Sequence, residues 1–205
     1  MKAAPAVSRA GGRGYAPGMT LREYRGKRRS GRSPEPRGRQ RKNGRASRKA
    51  PHFVVQHDTA TTDHYDFRLE VDGVLVSWAI PKGPSTNPKD KRMARRTEDH
   101  PMEYEEFEGV IPEGEYGAGR VIVWDRGTYT NDGEHDMADA VKRGHLSFSL
   151  DGEKLRGGWA LTRMRKGKAE AWLLVKRKDE DADARRKPVR SRPESVLSGR
   201  TLDEL

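Results

Sequence analysis

His64, Asp66 and Arg68 recur at two-residue steps, with Glu70 next in the series. The residues between them, Tyr65, Phe67 and Leu69, are apolar, as is Val71. The run therefore reads as a strand with one face in a core and an imidazole, a carboxylate and a guanidinium side by side on the other. Such a row suits phosphoryl chemistry. A carboxylate holds a divalent ion, an arginine fork neutralises phosphate oxygens, and a histidine assists at the leaving oxygen. Taken alone, the row is equally the polar face of an ordinary half-buried strand. Two further histidines shift that balance: His57 in Gln56-His57-Asp58, and His100 in Glu98-Asp99-His100-Pro101, close to Tyr104. The chain has no cysteine, which excludes disulfides, thiol catalysis and thiolate-bound zinc. Histidines converging with an aspartate would make a nitrogen and oxygen site suited to manganese, zinc or cobalt, with open positions. His52, His135 and His145 have no comparable company.

The elements that must position these groups fall into three zones. Of the 205 residues, 32% are apolar and 36% are charged, so one modest domain with less packed flanks is expected. Residues 1–50 carry sixteen Lys/Arg against Glu23 and Glu35, while the remaining chain is slightly acidic, so the net charge of +11 resides in one arm. A basic arm rich in Gly, Arg and Ser fits a phosphate-backbone binder, and is expected to be largely flexible with one short helix near Leu21 to Arg28. Residues 51–178 read as the folded domain, made of short alternating strands. Asp72-Gly73 closes a tight hairpin, and Met137 to Arg143 form a brief helix between Asp136 as N-cap and Gly144 as C-cap. Residues 179–205 read as an exposed, charged C-terminal tail. The expected fold class is mostly β: a compact antiparallel barrel-like domain with a few short helices. No run of 18 apolar residues and no signal-like start occurs, so no membrane partner and a cytoplasmic, nucleoid-associated location are expected.

Several long strings have a family likeness. His64-Tyr65-Asp66-Phe67-Arg68-Leu69-Glu70, Ser77-Trp78-Ala79-Ile80-Pro81-Lys82-Gly83-Pro84, Glu98-Asp99-His100-Pro101 and Phe107-Glu108-Gly109-Val110-Ile111-Pro112-Glu113-Gly114-Glu115-Tyr116-Gly117-Ala118-Gly119 closely resemble the 3′-phosphoesterase domain of bacterial DNA ligase D and its stand-alone relatives. The resemblance implies a β-barrel-like enzyme that uses manganese to heal DNA 3′ ends. It would remove a 3′-ribonucleoside and then the 3′-phosphate, leaving a 3′-hydroxyl for non-homologous end joining. By position it implies His57, Asp66 and His100 as metal ligands, with Asp58 the alternative to His57 because the spacing from Gln56 differs by one residue from the family's. It further implies catalytic roles for His64, Arg68, Tyr104 and Gln56, and phosphate or substrate binding by Arg28, Glu35 and Arg68. Arg29 stands where the family tends to place an acid, which makes ribonucleoside removal the less secure of the two steps. Expected partners are DNA 3′ ends and the ligase, polymerase and Ku proteins of end joining.

Two other classes fit parts of the pattern. His57-Asp58-Thr59 and His145-Leu146-Ser147 match the short signature of metal-independent two-histidine phosphodiesterases. A non-catalytic DNA-end adaptor would need only the fold and the basic arm. The segment Gly114 to Gly119 precedes the strand-like run Val121 to Trp124 and not a helix, so it reads as a tight turn and not as a phosphate cradle.

Overall fold

Alternation in the sequence becomes alternation of faces in the computed structural model, which describes residues 21–28, 33–36, 38, 50–60, 62–165, 167 and 170–205. Ten antiparallel strands form one sheet: β1 (His52–Asp58), β2 (His64–Val71), β3 (Val74–Ile80), β4 (Arg92–Arg96), β5 (His100–Pro101), β6 (Gly109–Ile111), β7 (Gly119–Asn131), β8 (His145–Gly152), β9 (Arg156–Arg165) and β10 (Ala171–Lys176). Their order is β1-β2-β3-β4-β10-β9-β8-β7, and β7 pairs again with β1, closing an eight-stranded barrel. β6 extends from β7, and β5 pairs with β3 outside the ring. Closure leaves none of the eight ring strands as a free edge. The helices are α1 (Leu21–Lys27), α2 (Met137–Arg143) and α3 (Pro188–Ser191). Among the described residues no helix is long and apolar enough to cross a membrane.

The interior is aromatic. Phe53, Val55, Tyr65, Phe67, Leu69, Trp78, Trp124, Phe148, Trp159 and Trp172 belong to one buried cluster, so the odd-numbered residues of β1 and β2 face inward as their pattern requires. A second, smaller cluster lies on the outside of the barrel. Val54, Leu75, Val121 and Val123 meet Tyr24 of α1 and Tyr104, Phe107 and Ile111 of the 102–111 segment. Part of the outer face of β1–β3 is thus roofed rather than solvated, and that layer positions the site.

Local signals behave as the sequence reading expects at α2 and the first hairpin. Asp136 accepts from Asp139 N and Gly144 closes α2 in the left-handed region. Asp72 and Gly73 both have positive φ, as a two-residue hairpin turn demands. Most of the basic arm, including residues 1–20, Arg37 and residues 39–49, lies outside the described residues.

The segment expected as an exposed tail over residues 179–205 keeps mostly exposed side chains but is anchored along the barrel. Trp124 Nε1 and Lys154 Nζ both donate to Arg192 O at 2.8 Å, Val196 N donates to Val123 O, and Leu202 is buried. The indole N–H and the buried ammonium need acceptors at that end of the barrel, and the segment's carbonyls supply them.

The register of β1 against β7 shifts between Val55 and Gln56. Asp125, at that shift, accepts from Glu153 N and Lys154 N on Oδ1 and from Leu155 N on Oδ2. Removing the carboxylate strands three backbone donors. Asp125→Ala should cost about 3 kcal/mol or more in urea unfolding, with Asp125→Asn costing less. A loss under about 1 kcal/mol would show that this carboxylate does not hold the turn.

Candidate active site

β2 delivers the predicted row. Tyr65, Phe67 and Leu69 are core residues, and His64, Asp66, Arg68 and Glu70 take the outer face. Arg68 is the centre of what they build, at 1% exposure. Its Nε donates to Gln56 Oε1 of β1, Nη1 to Ser77 Oγ of β3 and His100 Nδ1 of β5, and Nη2 to Asp66 Oδ2, each at 2.8 Å. Four of its five N–H groups are engaged, which leaves one Nη2 hydrogen beside Asp66.

The two nearby imidazoles are wired in opposite senses. His64 Nδ1 lies 2.8 Å from Thr62 O, so it carries the proton and donates to that carbonyl. Nε2 is left as the nitrogen facing the cluster, 3.7 Å from Asp66 Oδ1. That is the tautomer a metal-binding histidine adopts, with its other nitrogen fixed by a carbonyl. His100 Nδ1 receives a hydrogen from Arg68, which has no other role to offer. Glu98 O also approaches Nδ1 at 3.0 Å, but a proton there would oppose the guanidinium N–H, and the charge-assisted bond prevails. The proton of His100 therefore sits on Nε2, a donor and not a ligand. Burial, with Arg68 and Arg28 nearby, pushes this imidazole's pKa well below its ordinary range, so the ring stays neutral.

Asp58, His64 and Asp66 each place a ligand atom within 4.8 Å of the others, the group of this kind among the described residues that is fit for a metal ion. Of the expected ligands the cluster contains Asp66 and the alternative Asp58, and it does not bring His57 or His100 together with them. His57 is paired with Tyr65 across β1 and β2, stacks on its ring at 4.2 Å, and binds Asp63 through Nε2, on the face away from Asp66. The one-residue step to Asp58 crosses to the outer face. His100 stays on the far side of Arg68. His64, expected as a catalytic group, joins the ligand-like cluster.

The donor set fits a divalent cation on the evidence of the cluster itself. Asp58 and Asp66 face each other, and burial followed by the Asp66 charge raises the Asp58 pKa to about 6. Two opposed carboxylates and an imidazole nitrogen form a half-enclosed oxygen and nitrogen set suited to a hard or borderline ion such as Mn2+.

Around this floor the remaining predicted residues act through others. Gln56 Nε2 donates to Tyr104 O and Phe107 O while its oxygen holds Arg68, so the amide is fully used in positioning. Tyr104 Oη donates to Glu35 Oε1, which also accepts from Arg28 Nε, and Glu35 Oε2 accepts from Ser33 Oγ. Arg28 Nη1 donates to Tyr24 O and Glu98 Oε1, and its Nη2 has no partner among the described residues. Tyr24 Oη donates to Pro36 O, tying α1 to the segment that carries Glu35. The sequence reading missed Ser77 and Glu98 as members of the network. Their signals were weak: a serine opposite Arg68 in the β2–β3 register, and an acid two residues before His100. His145, of the two-histidine alternative, is exposed and bonds Thr162, sharing no partner with His57.

Comparison with known proteins shows the family of the chain. Residues 55–163 match the family described as the DNA ligase D 3′-phosphoesterase domain. The chain is 51% identical to the multifunctional non-homologous end joining protein LigD of Pseudomonas aeruginosa, over 89% of this chain and 22% of the relative. It is 48% identical to the multifunctional non-homologous end joining DNA repair protein LigD of Mycobacterium tuberculosis, over 62% of this chain and 16% of the relative. The Mycolicibacterium smegmatis protein of the first name is 40% identical over 78% and 21%. The chain spans about a fifth of the length of these relatives.

Without an ion, ionised Asp58 faces Asp66. The folded carboxyl titrates near 6 and the unfolded one near 4, so folded stability is lost as pH rises through about 4 to 6. A cation relieves that repulsion above the window and competes with the proton inside it. Mn2+ should therefore raise the unfolding temperature more at pH 7.5 than at pH 5, and Asp58→Asn should flatten the difference. Equal shifts at both pH values in the unmodified protein would reject Asp58 as part of an ion site.

Proposed function

Because the chain belongs to the DNA ligase D 3′-phosphoesterase family, we propose that the outer face of β1–β3 hydrolyses phosphoesters at DNA 3′ ends with a bound Mn2+. The carrying observation is the wiring of two imidazoles on either side of Arg68: His64 ready to ligate, His100 ready to donate.

Asp58, His64 and Asp66 would hold the ion. When bound, it supplies Lewis acidity at a phosphate oxygen. Arg68 presents a fixed positive charge and its remaining Nη2 hydrogen. His100 adds an Nε2–H donor on a ring kept neutral by burial and by the neighbouring Arg68 and Arg28. Donors held in place before substrate arrives need no reorganisation as charge builds on the phosphate oxygens. Gln56 and Ser77 keep the guanidinium plane fixed, and Glu35 with Tyr104 keeps Arg28 in place. Arg28, with both Nη2 hydrogens free of described partners, is suited to a second phosphate oxygen or a ribose hydroxyl.

This reading makes the 3′-phosphatase the primary activity and ribonucleoside removal the companion step, the latter leaving a 3′-phosphate that the former converts to a 3′-hydroxyl. The names of the relatives support a role in non-homologous end joining, with ligase, polymerase and Ku proteins as the partners that would receive the healed end. The basic excess in residues 1–50 would draw the protein to DNA in the cytoplasm and nucleoid.

A labelled primer-template ending in a 3′-phosphate or one 3′-ribonucleotide should be converted to the 3′-hydroxyl with Mn2+ and left intact with EDTA. Asp58→Ala and Asp66→Asn should lower turnover by roughly 100-fold or more, whereas His57→Ala should stay within about threefold. The reverse order for positions 57 and 58 would move the ligand to His57. Turnover that ignores EDTA would favour a two-histidine phosphodiesterase, and tight binding without turnover an adaptor.

A further inference from the structure

The turn between β6 and β7 carries an aromatic ring that the mechanism above does not use. Tyr116 is 49% exposed, one of the few large apolar side chains left in solvent. Lys27 Nζ stands 4.5 Å from its ring centroid and donates to its hydroxyl at 3.2 Å, and the Arg28 guanidinium lies 5.6 Å from the same centroid. The ring is therefore next to Lys27 at the end of α1 and Arg28 just beyond it, and Arg28 is bonded to Glu35 and Glu98 in the site network.

The turn is also fixed to the ligand cluster's own segment. Glu115 N donates to Pro112 O and Ala118 N to Glu115 O, so two successive tight turns hold Tyr116. A Cβ on Gly119 would come within 2.8 Å of the Ala60 backbone, and Thr59 N donates to Arg120 O at 3.1 Å. Only glycine permits that approach, which seats the turn directly against residues 58–60. One end of the turn is thus held beside Thr59 and Ala60, next in sequence to Asp58, and its ring lies against Lys27 with the Arg28 guanidinium 5.6 Å from its centroid.

We propose that Tyr116 is a nucleobase subsite: the base of the 3′-terminal nucleoside stacks on its exposed ring while the terminal phosphate lies at Arg68 and the Asp58–His64–Asp66 cluster. The inference rests on the phosphoesterase reading. A flat ring with cations at its border matches a nucleotide, which joins an aromatic base to an anionic backbone. Stacking uses the face common to all bases, so it grips an end without reading its sequence. Lys27, half-exposed at the ring's border, would then meet the phosphate on the 5′ side of that nucleoside.

The test uses the full chain and two primer-templates with a 3′-phosphate, one ending in 2-aminopurine nucleoside and one in an abasic sugar. Binding should quench the 2-aminopurine, and Tyr116→Ala should abolish the quench and raise KM at least about fivefold. Tyr116→Phe, which lacks the hydroxyl held by Lys27, and Tyr116→Trp should retain both. On the abasic end the advantage of the unmodified protein over Tyr116→Ala should shrink to within about twofold. An equal loss on both substrates, an unchanged KM with base present, or failure of the Phe variant would overturn the subsite. Absence of phosphate release from either substrate would overturn the phosphoesterase reading, and the quench would still decide whether the base stacks.

Discussion

Arg68 is buried on the outer face of β2, and withdrawing such an ion from water costs several kcal/mol unless hydrogen bonds replace its hydration. The replacements come from four places: Gln56 on β1, Asp66 on β2 itself, Ser77 on β3 and His100 on β5. None of them suffices alone. A slip of one residue in β1 or β3 would turn Gln56 or Ser77 into the barrel and strand an N–H. The guanidinium thus penalises wrong registers as well as filling the site. Its partners are themselves anchored: Gln56 to the carbonyls of Tyr104 and Phe107, and His100 between Tyr24 and Tyr104 at ring distances of 5.0 and 4.7 Å.

The same charge sorts the histidines. Because Arg68 can only donate, it fixes the proton of His100 on the remote nitrogen and helps hold the ring neutral. His64, out of its reach and bonded to a carbonyl, keeps the opposite tautomer. Two residues with identical chemistry in solution become a candidate ligand and a candidate donor through the identity of one neighbour each. A barrel interior could not offer this. It is filled by aromatic rings, whereas the outer face under α1 and the 102–111 segment has both polar partners and an opening.

The alternation of β2, the Asp72-Gly73 turn and the caps of α2 were legible because each is decided by residues adjacent in sequence. The short strands β4, β5 and β6 were not, since Arg92–Arg96, His100–Pro101 and Gly109–Ile111 have almost no apolar pattern and exist by pairing with distant partners. The C-terminal segment looked solvated by composition, yet its role is to supply backbone carbonyls, which composition cannot display. Within the site, residue types were readable and assignments were not. His57 was the attractive ligand by type, but β pleating gives adjacent residues opposite faces, so the carboxylate of Asp58 faces Asp66 and the imidazole stacks on Tyr65. A tautomer depends on which atom lies 2.8 Å away, and no sequence pattern reports that.

The layering also divides labour on the proposed reading. The floor, made of Asp58, His64, Asp66 and Arg68, belongs to strands whose other face is the packed core, so its geometry is as stable as the barrel. The roof, made of Lys27, Arg28, Glu35 and Tyr104, is held together by Arg28 and Lys27 on Glu98 and by Tyr104 on Glu35. It meets the floor through Gln56, which accepts from Arg68 and donates to Tyr104 O. Groups that must hold an ion and a developing charge gain from rigidity, since an error of a fraction of an ångström weakens them. Groups that accept different terminal nucleosides gain from a layer that adjusts without disturbing the floor. The Tyr24, Tyr104 and Phe107 cluster packs between the two on Val54, Leu75, Val121 and Val123, outside the barrel core, so the roof is seated without drawing on that core.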